Sequence, residues 1–233
     1  MIRLLTADVK SRSDFLSAPV EITQEVIYPT GNYGSGMAPF YTVLSLWVGV
    51  LLLTSMLTVN VLGDYRPFHI YFGKWLTYVS ICLIQALIAS LGDLYLLRIY
   101  CVNPFLFVIG NLFAAIVFGT LVYSLVSVFG NVGKVIAIIL MVLQVAGSGG
   151  TFPIQLTPKF FQVLNPFLPF TYAISFNREA IGGVVQSVLI RDTLVLLGIF
   201  VGTIVISVLI KKPINKLTSR FVHKFEESKL SEH

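Results

Sequence analysis

The segment from Gly147 to Gly183 constrains this chain most, because it lies between two long apolar runs but cannot cross a bilayer as one straight helix. It opens with four small residues in a row, 147–150, and is rich in aromatic residues. Each proline in it removes a backbone donor and clashes with the preceding helical turn. The sequence predicts a structured cap at a membrane surface, made of a broken helix end, a short interfacial helix, a turn and a second short helix that ends at Gly182 and Gly183. Its prolines are Pro153, Pro158, Pro166 and Pro169.

The composition of the whole chain excludes a water-soluble globule. Of its 233 residues 56% are hydrophobic and only 12% are charged, and the mean hydropathy is +0.86. Soluble domains carry about 25% charged residues. The net charge of +5 does not indicate nucleic-acid binding, because the basic residues lie between apolar runs and in the C-terminal tail. We expect the lipid bilayer as the surroundings and no nucleic acid as a partner.

Five apolar runs predict an all-α integral membrane protein with about five transmembrane helices. All but the fourth approach the roughly 20 residues that a bilayer requires, and the fourth must either be completed by the glycine-rich break or tilt less than its neighbours. We expect an extracellular segment over 1–37, a transmembrane domain over 38–212 and a basic cytoplasmic tail over 213–233. The five runs cover about 39–62, 75–97, 104–129, 135–148 and 193–210.

The segment 63–75, between the first two spans, mixes basic with aromatic residues. This pattern is typical of an amphipathic elbow helix in the headgroup layer. The connections on this side of the membrane are short and basic, whereas the long segment 149–192 carries only three basic residues. The positive-inside rule therefore predicts a cytoplasmic C-terminus. The N-terminus and the cap would face out, with short extracellular helices between the last two spans.

Small residues recur one helical turn apart in several spans. Such spacing lets helices approach closely in lipid. We favour tight packing within the chain, with a homodimer face as the alternative. The pairs are Ser45 with Gly49, Gly110 with Ala114, Ala115 with Gly119, and Gly198 with Gly202.

One acidic side chain and three amides within the predicted spans are candidates for polar contacts. Asp93 is near the outer end of the second span, where we expect it to reach interfacial water or to pair with Arg98. The amides of Gln85, Asn111 and Gln144 either line a polar seam or form interhelical hydrogen bonds. The sequence does not decide between these two interpretations.

No pattern in the chain indicates an enzyme, a metal site or a bound cofactor. Arg178 and Glu179 are adjacent, but without a nucleophile or metal constellation they fit an ion pair or a helix cap better than acid–base catalysis. The three histidines, His69, His223 and His233, are far apart in sequence. A phosphate-binding GxxxxGK[ST] motif is absent from the sequence.

Three blocks of the sequence carry a family resemblance. They are NYGSGMAPF at 32–40, LWVG at 46–49, and the block from Gly149 to Ile174 with REAIGG at 178–183. Together they resemble the C-terminal membrane region of the YhgE/Pip (phage infection protein) family, which belongs with the type-2 ABC transporter permeases. Members of that family have a further N-terminal span and a long extracellular region before this point. The resemblance therefore implies that this chain corresponds to a C-terminal piece.

The resemblance implies a permease-like component of an export system in the bacterial plasma membrane, with ATP bound by a separate ABC ATPase. The alternative is a structural or receptor-type membrane protein, for phage adsorption or as a type VII secretion scaffold, without transport activity. Coupling to the ATPase would involve Tyr65, Arg66, Phe68, His69 and Lys74. An extracellular gate or hinge would involve Gly147, Gly149, Gly150, Pro153, Pro166 and Pro169.

Overall fold

The computed structural model describes residues 32–57 and 67–229, without the side chains of 67, 68, 70 and 211–229. All regular structure in these residues is helical, as the sequence predicts. A π-helical turn, Gly92–Leu96, continues α2, and two 3-10 turns, Ile154–Leu156 and Asn165–Phe167, flank α5. The α-helices are α1 Tyr33–Met56, α2 Pro67–Leu91, α3 Pro104–Phe129, α4 Asn131–Gly147, α5 Lys159–Leu164, α6 Pro169–Gly182 and α7 Gln186–Lys229.

Four helical stretches of the described residues are long and apolar enough to cross a membrane. A further apolar helix, α4, is shorter, as expected for the fourth predicted span. The multi-pass, all-α fold class is therefore confirmed. The four long stretches are Tyr33–Met56, Tyr71–Leu96, Pro104–Phe129 and Gln186–Ile210.

The first helix begins earlier than the sequence indicates, at Tyr33 rather than near Pro39. The Asn32 side chain caps it by accepting a hydrogen bond from the Ser35 amide at 2.8 Å. Asparagine is among the preferred N-cap residues. Pro39 consequently lies inside α1 instead of starting it.

The predicted elbow is not a separate helix from Pro67 onward, because α2 runs without a break from Pro67 to Leu91. The Tyr71 hydroxyl shares a hydrogen bond of 2.8 Å with Ser124 Oγ on α3. Trp75 Nε1 donates to Thr120 Oγ1, also on α3, at 2.9 Å. These bonds hold Tyr71 and Trp75 against a neighbouring helix. The part of the predicted elbow over 63–66 lies outside the described residues.

The central helix of the bundle is α3, which contacts α1, α2, α4, α6 and α7. It is apolar on all sides, as expected for a helix surrounded by others. The core is centred on three aromatic rings that pack against one another, each from a different helix. Trp47 lies edge-on to Phe118 and to Phe170, with ring centroids 5.3 and 5.6 Å apart.

A tight turn at Gly130 joins α3 to α4. Gly130 has a φ of +58°, in the left-handed region that favours glycine. Three residues later, a Cβ at Gly133 would overlap the backbone carbonyl of Leu125. The first turn of α4 therefore packs directly on the last turns of α3.

Candidate functional site

The helix α6 lies between α1, α3, α4 and α7. Its first turn carries Phe170, which is fully buried and packs on Trp47 and Phe118 near the middle of α1 and α3. Its last turn accepts a hydrogen bond at the Ala180 carbonyl from Asn103 N, just before α3, at 2.9 Å. With 14 residues, α6 is about 21 Å long. It therefore fills roughly half the depth of the bundle, instead of lying across its end as a cap.

We call the end of the bundle where α6 terminates and α1, α3 and α7 begin the α6 end. The sequence predicted the short helices of this segment and the end of the second one at Gly182 and Gly183, and both are confirmed. It did not predict that α6 is inserted among the spans. Membrane proteins tolerate short helices and non-helical connections below the membrane surface where other protein segments bury them.

The glycine-rich break at the end of α4 is packed tightly against its neighbours. Gly149 has a φ of +68°, and a Cβ at Gly150 would overlap the ring of Phe40. The guanidinium of Arg178 donates hydrogen bonds to the carbonyls of Gly149 and Gly150, at 3.1 and 2.9 Å. Arg178 thereby fixes α6 to the break.

Glu179 connects the last turns of α6 to the start of α7. Its Oε2 accepts a hydrogen bond from the Val185 amide, directly before α7, at 2.5 Å. A carboxylate there also interacts favourably with the positive end of the α7 dipole. Among the described residues Arg178 and Glu179 make no ion pair with each other. The cap interpretation is confirmed for Glu179, whereas Arg178 binds carbonyls of the break beyond the end of α4.

The amides within the helices bind neighbouring helices to one another. Asn177 Nδ2 on α6 donates to Asn111 Oδ1 on α3 at 2.7 Å. Gln144 Oε1 on α4 accepts from the Phe170 amide at 3.3 Å. Gln85 on α2 donates to a backbone carbonyl of α1 at 3.0 Å. The interpretation as interhelical hydrogen bonds is therefore confirmed for all three predicted amides.

Several buried polar atoms in the described part of the chain have no hydrogen-bond partner. Most of them belong to residues that bind α6 or lie beside it, so the unpaired groups concentrate at the α6 end. An unpaired buried polar group costs about 1–3 kcal/mol. The docked position of α6 therefore carries an energetic cost. The atoms are Ser90 Oγ, Asn111 Nδ2, Gln144 Nε2, Ser148 Oγ, Asn177 Oδ1 and Asp192 Oδ2.

The opposite end of the bundle holds a cluster of three buried tyrosines, Tyr71, Tyr78 and Tyr123, and we call it the tyrosine end. Tyr123 Oη donates to the Tyr71 carbonyl at 2.9 Å, and Tyr78 Oη donates to the Leu57 carbonyl at 2.8 Å. The sequence interpretation missed this cluster. The available signal was the seven-residue spacing of Tyr71 and Tyr78, which puts them on one face of a helix.

The predicted coupling residues lie at the tyrosine end or outside the described residues. Tyr65 and Arg66 are outside them, as is the side chain of Phe68. His69 is exposed and Lys74 is half-buried, both in the first turns of α2. The predicted coupling role of these residues stays a prediction.

Of the six predicted gate residues, four lie in packed parts of the structure and two are exposed. Gly147, Gly149 and Gly150 form the packed break, where Asn165 Nδ2 donates to the Gly147 carbonyl at 2.7 Å. Pro169 is buried at the start of α6. The remaining two, Pro153 and Pro166, are exposed and belong to the connecting turns. Movement of these residues stays a prediction.

Most of the small residues singled out in the sequence face another helix closely. A Cβ at Gly49 would overlap the Gln85 amide, and one at Gly110 would overlap the Phe176 ring. A Cβ at Gly119 would come within 3.1 Å of Cys82 Sγ. Ser45 contributes its carbonyl to the Gln85 bond, and Ala114 and Ala115 are buried. The space beside Gly198 and Gly202 is open in the described residues.

Comparisons with known proteins support the family resemblance. A family model described as "ABC-2 family transporter protein" matches residues 6–209. Over 166 residues the chain is 32% identical to "Uncharacterized protein YhgE" of Bacillus subtilis (strain 168). That match covers 70% of this chain but only 21% of the relative, so the chain spans about a fifth of the relative's length. No solved structure matches the chain.

Proposed function

The chain belongs to the ABC-2 transporter family, and we propose that it is the permease-like component of an export system driven by a separate ABC ATPase. The observation that carries the proposal is the family match over residues 6–209, which includes the four long apolar helices, α4 and α6. Membrane components of this family work with an ATPase that is a separate subunit. The chain itself would bind no nucleotide and would carry out no catalysis.

We further propose that the chain corresponds to the C-terminal membrane part of a longer protein. The 21% share of the YhgE length that it spans supports this proposal. The genomic sequence upstream of the Met1 codon provides the test. An in-frame span and ectodomain, or a neighbouring gene that encodes them, is expected. Upstream sequence that encodes neither would count against it.

In this proposal the two ends of the bundle have different tasks. The ATPase would act at the tyrosine end, where the chain enters α2. Because α3 contacts both α2 and α6, a displacement there would reach α6 through a single helix. Release of α6 would then open a path between α1, α3 and α4, with Gly147–Gly150 as the hinge. The unpaired polar atoms around α6 support this role, since water could satisfy them once α6 moves.

Co-purification tests the coupling. The full chain, tagged at its C-terminus, is extracted in mild detergent, and a bound subunit with a Walker A motif and ATP hydrolysis are sought. We expect Lys74→Glu to reduce both about tenfold, because it reverses a charge at the proposed contact end. Lys159→Glu is the matched control, since Lys159 is exposed on α5. A folded chain that retains no ATPase would contradict the proposal.

We also propose that the α6 end faces the cell exterior, as the charge distribution indicates. Cys101, near the start of α3, is half-buried, and its Sγ donates to the Ala180 carbonyl at 3.4 Å. Burial raises the pKa of the Cys101 thiol, so less thiolate is present at neutral pH and labelling should speed up as pH rises. A membrane-impermeant maleimide should label Cys101 in intact cells, and faster at about pH 8.5 than at about pH 7.

The buried Cys82 is the internal control for this labelling, because it should react under neither condition. Labelling of Cys101 that requires permeabilised cells would invert the proposed orientation.

A further inference from the structure

A pocket of 640 Å³ opens between the first turns of α1 and the π-helical turn that ends α2. Its α1 wall includes the exposed rings of Tyr33 and Tyr41, with Met37 between them. The opposite wall includes Leu97 and the carboxylate of Asp93. The pocket thus combines one acidic group with aromatic and apolar surfaces.

Two hydrogen bonds between the walls fix the shape of this pocket. The Tyr100 amide donates to Ser35 Oγ at 2.8 Å. Two turns further along α1, Thr42 Oγ1 donates to Asp93 Oδ2. Because Ser35 and Thr42 are seven residues apart, they lie on one face of α1. The pocket is therefore framed by bonded helices.

Asp93 is the charged group of the pocket. It lies in the π-helical turn Gly92–Leu96, and such turns occur frequently at functional sites. Of the two outcomes expected for Asp93, the pairing with Arg98 is wrong, since no ion pair among the described residues involves Asp93. Contact with interfacial water stays a prediction. Thr42 occupies Oδ2, whereas Oδ1 has no hydrogen-bond partner among the described residues and is not among the buried unpaired atoms. One carboxylate oxygen is thus available to a ligand.

We propose that this pocket binds an organic ammonium group, with Asp93 as its counter-ion and Tyr41, next to the Asp93 partner Thr42, as its aromatic wall. Ammonium groups are attracted both to carboxylates and to the faces of aromatic rings. A divalent metal ion fits less well, because Ca²⁺ takes about six to eight oxygen ligands and the described lining of the pocket offers a single carboxylate. The amine of a phospholipid headgroup and a free organic amine share the required chemistry. The proposal does not depend on coupling to an ATPase.

A purely structural role for Asp93, as a link between α1 and α2, predicts different behaviour from a binding role. Asp93→Asn keeps an oxygen that can accept from Thr42 but removes the charge. Thr42→Val removes the hydrogen bond but keeps the charge. If Asp93 only links the two helices, both variants should act on stability alone. If it binds a cation, charge removal should abolish binding in a protein that remains folded.

The test uses the full chain in nanodiscs of phosphatidylglycerol, a lipid without an amine, with choline as the probe. Its neutral isostere 3,3-dimethylbutan-1-ol is the matched control ligand, and binding is followed by ligand-observed NMR. We expect choline to bind at least about tenfold more tightly than the isostere, and Asp93→Asn to remove that preference. Thr42→Val should stay within about threefold of the native chain. Tyr41→Leu should weaken choline binding about two- to fivefold.

Nanodiscs that also contain phosphatidylethanolamine distinguish the two ligand sources. Competition between this lipid and choline would identify a headgroup amine as the occupant, and no competition would favour a free amine. Equal binding of choline and its isostere, or unchanged choline binding by Asp93→Asn, would overturn the proposal. If Asp93→Asn does not fold, the preference of the native chain for choline and the two- to fivefold weaker choline binding of Tyr41→Leu decide instead.

Discussion

The two ends of α3 differ in whether the buried polar groups around them have hydrogen-bond partners. At the tyrosine end, the hydroxyls of Tyr71, Tyr78 and Tyr123 all take part in hydrogen bonds that join α1, α2 and α3. At the α6 end, Asn111 and Asn177 each make one bond and keep one buried atom unpaired. Both ends are similarly well buried, so burial alone does not distinguish them.

This difference separates a region built to stay assembled from one in which rearrangement is less costly. Breaking the tyrosine cluster would leave polar groups that are now hydrogen-bonded without partners. Moving α6 would instead expose atoms that already lack partners, and water would satisfy some of them. The comparison therefore assigns rigidity to the tyrosine end and adjustability to the α6 end. The following changes test that assignment.

The largest effect is expected for Gly133→Ala, near the tyrosine end. The new Cβ would overlap the Leu125 carbonyl, and a helix backbone cannot move aside as a side chain can. We expect a loss of about 3 kcal/mol or more in the free energy of unfolding, measured as a lower melting midpoint in detergent. Gly110→Ala overlaps only the Phe176 ring and should cost about 1–2 kcal/mol.

Gly198→Ala is the matched control, because the space beside Gly198 is open and alanine favours helix formation. It should leave the midpoint unchanged or raise it. A smaller loss for Gly133→Ala than for Gly110→Ala would reverse the assignment of rigidity to the two ends.

The next effect is expected for Arg178→Ala, which removes two charge-assisted hydrogen bonds to the glycine-rich break. We expect a cost of about 1.5–3 kcal/mol, together with faster proteolysis between the break and α5. Arg178→Lys retains the charge without the forked geometry and should be intermediate. Faster proteolysis at the tyrosine end instead would show that Arg178 does not act locally.

A smaller loss is expected for Tyr123→Phe, which removes one hydroxyl from the tyrosine cluster and keeps the ring. The cost should be about 1 kcal/mol, seen as a lower thermal midpoint. Tyr172→Phe provides the comparison, because the Tyr172 hydroxyl bonds the Pro166 carbonyl in an exposed setting and should matter less. Equal effects for the two variants would mean that burial does not strengthen the cluster.

The smallest effect is expected when Asn111 and Asn177 are both replaced by leucine. Their mutual bond is worth about 0.6 kcal/mol in a membrane setting, and the replacement also removes two unpaired atoms. The double variant should therefore be as stable as the native chain or more stable, whereas either single variant should lose stability. Transport, where it can be assayed, should slow because α6 is held more firmly. A double variant less stable than both singles would contradict the cost assigned to this pair.

The sequence predicted the elements of this fold better than their depth. The short helix after Pro169 and its end at Gly182 and Gly183 follow from local chemistry, since proline suits a first turn and glycine a C-terminal end. The position of α6 inside the bundle depends on Phe170 meeting Trp47 and Phe118. Local sequence does not encode that contact.

The same limit explains what was missed at the candidate sites. Asn32 and Pro39 are both good helix starters, and only the structure shows that Asn32 caps α1. Arg98 was the nearest cation to Asp93 in sequence, but the π-helical turn brings Asp93 to Thr42 on α1. Prediction by sequence proximity fails where a helix changes its register.

The position of α6 also bears on how the protein is made. With 14 residues, it is shorter than the roughly 20 that a membrane insertion step recognises, and it carries Asn177, Arg178 and Glu179. Every helix that forms its site, except α7, is synthesised before it. We therefore expect α6 and α7 to enter the membrane together, as the first and second arms of a hairpin closed by Glu179. The site for α6 would already be formed by α1, α3 and α4. Nascent chains that end before α7 should leave this segment accessible to protease.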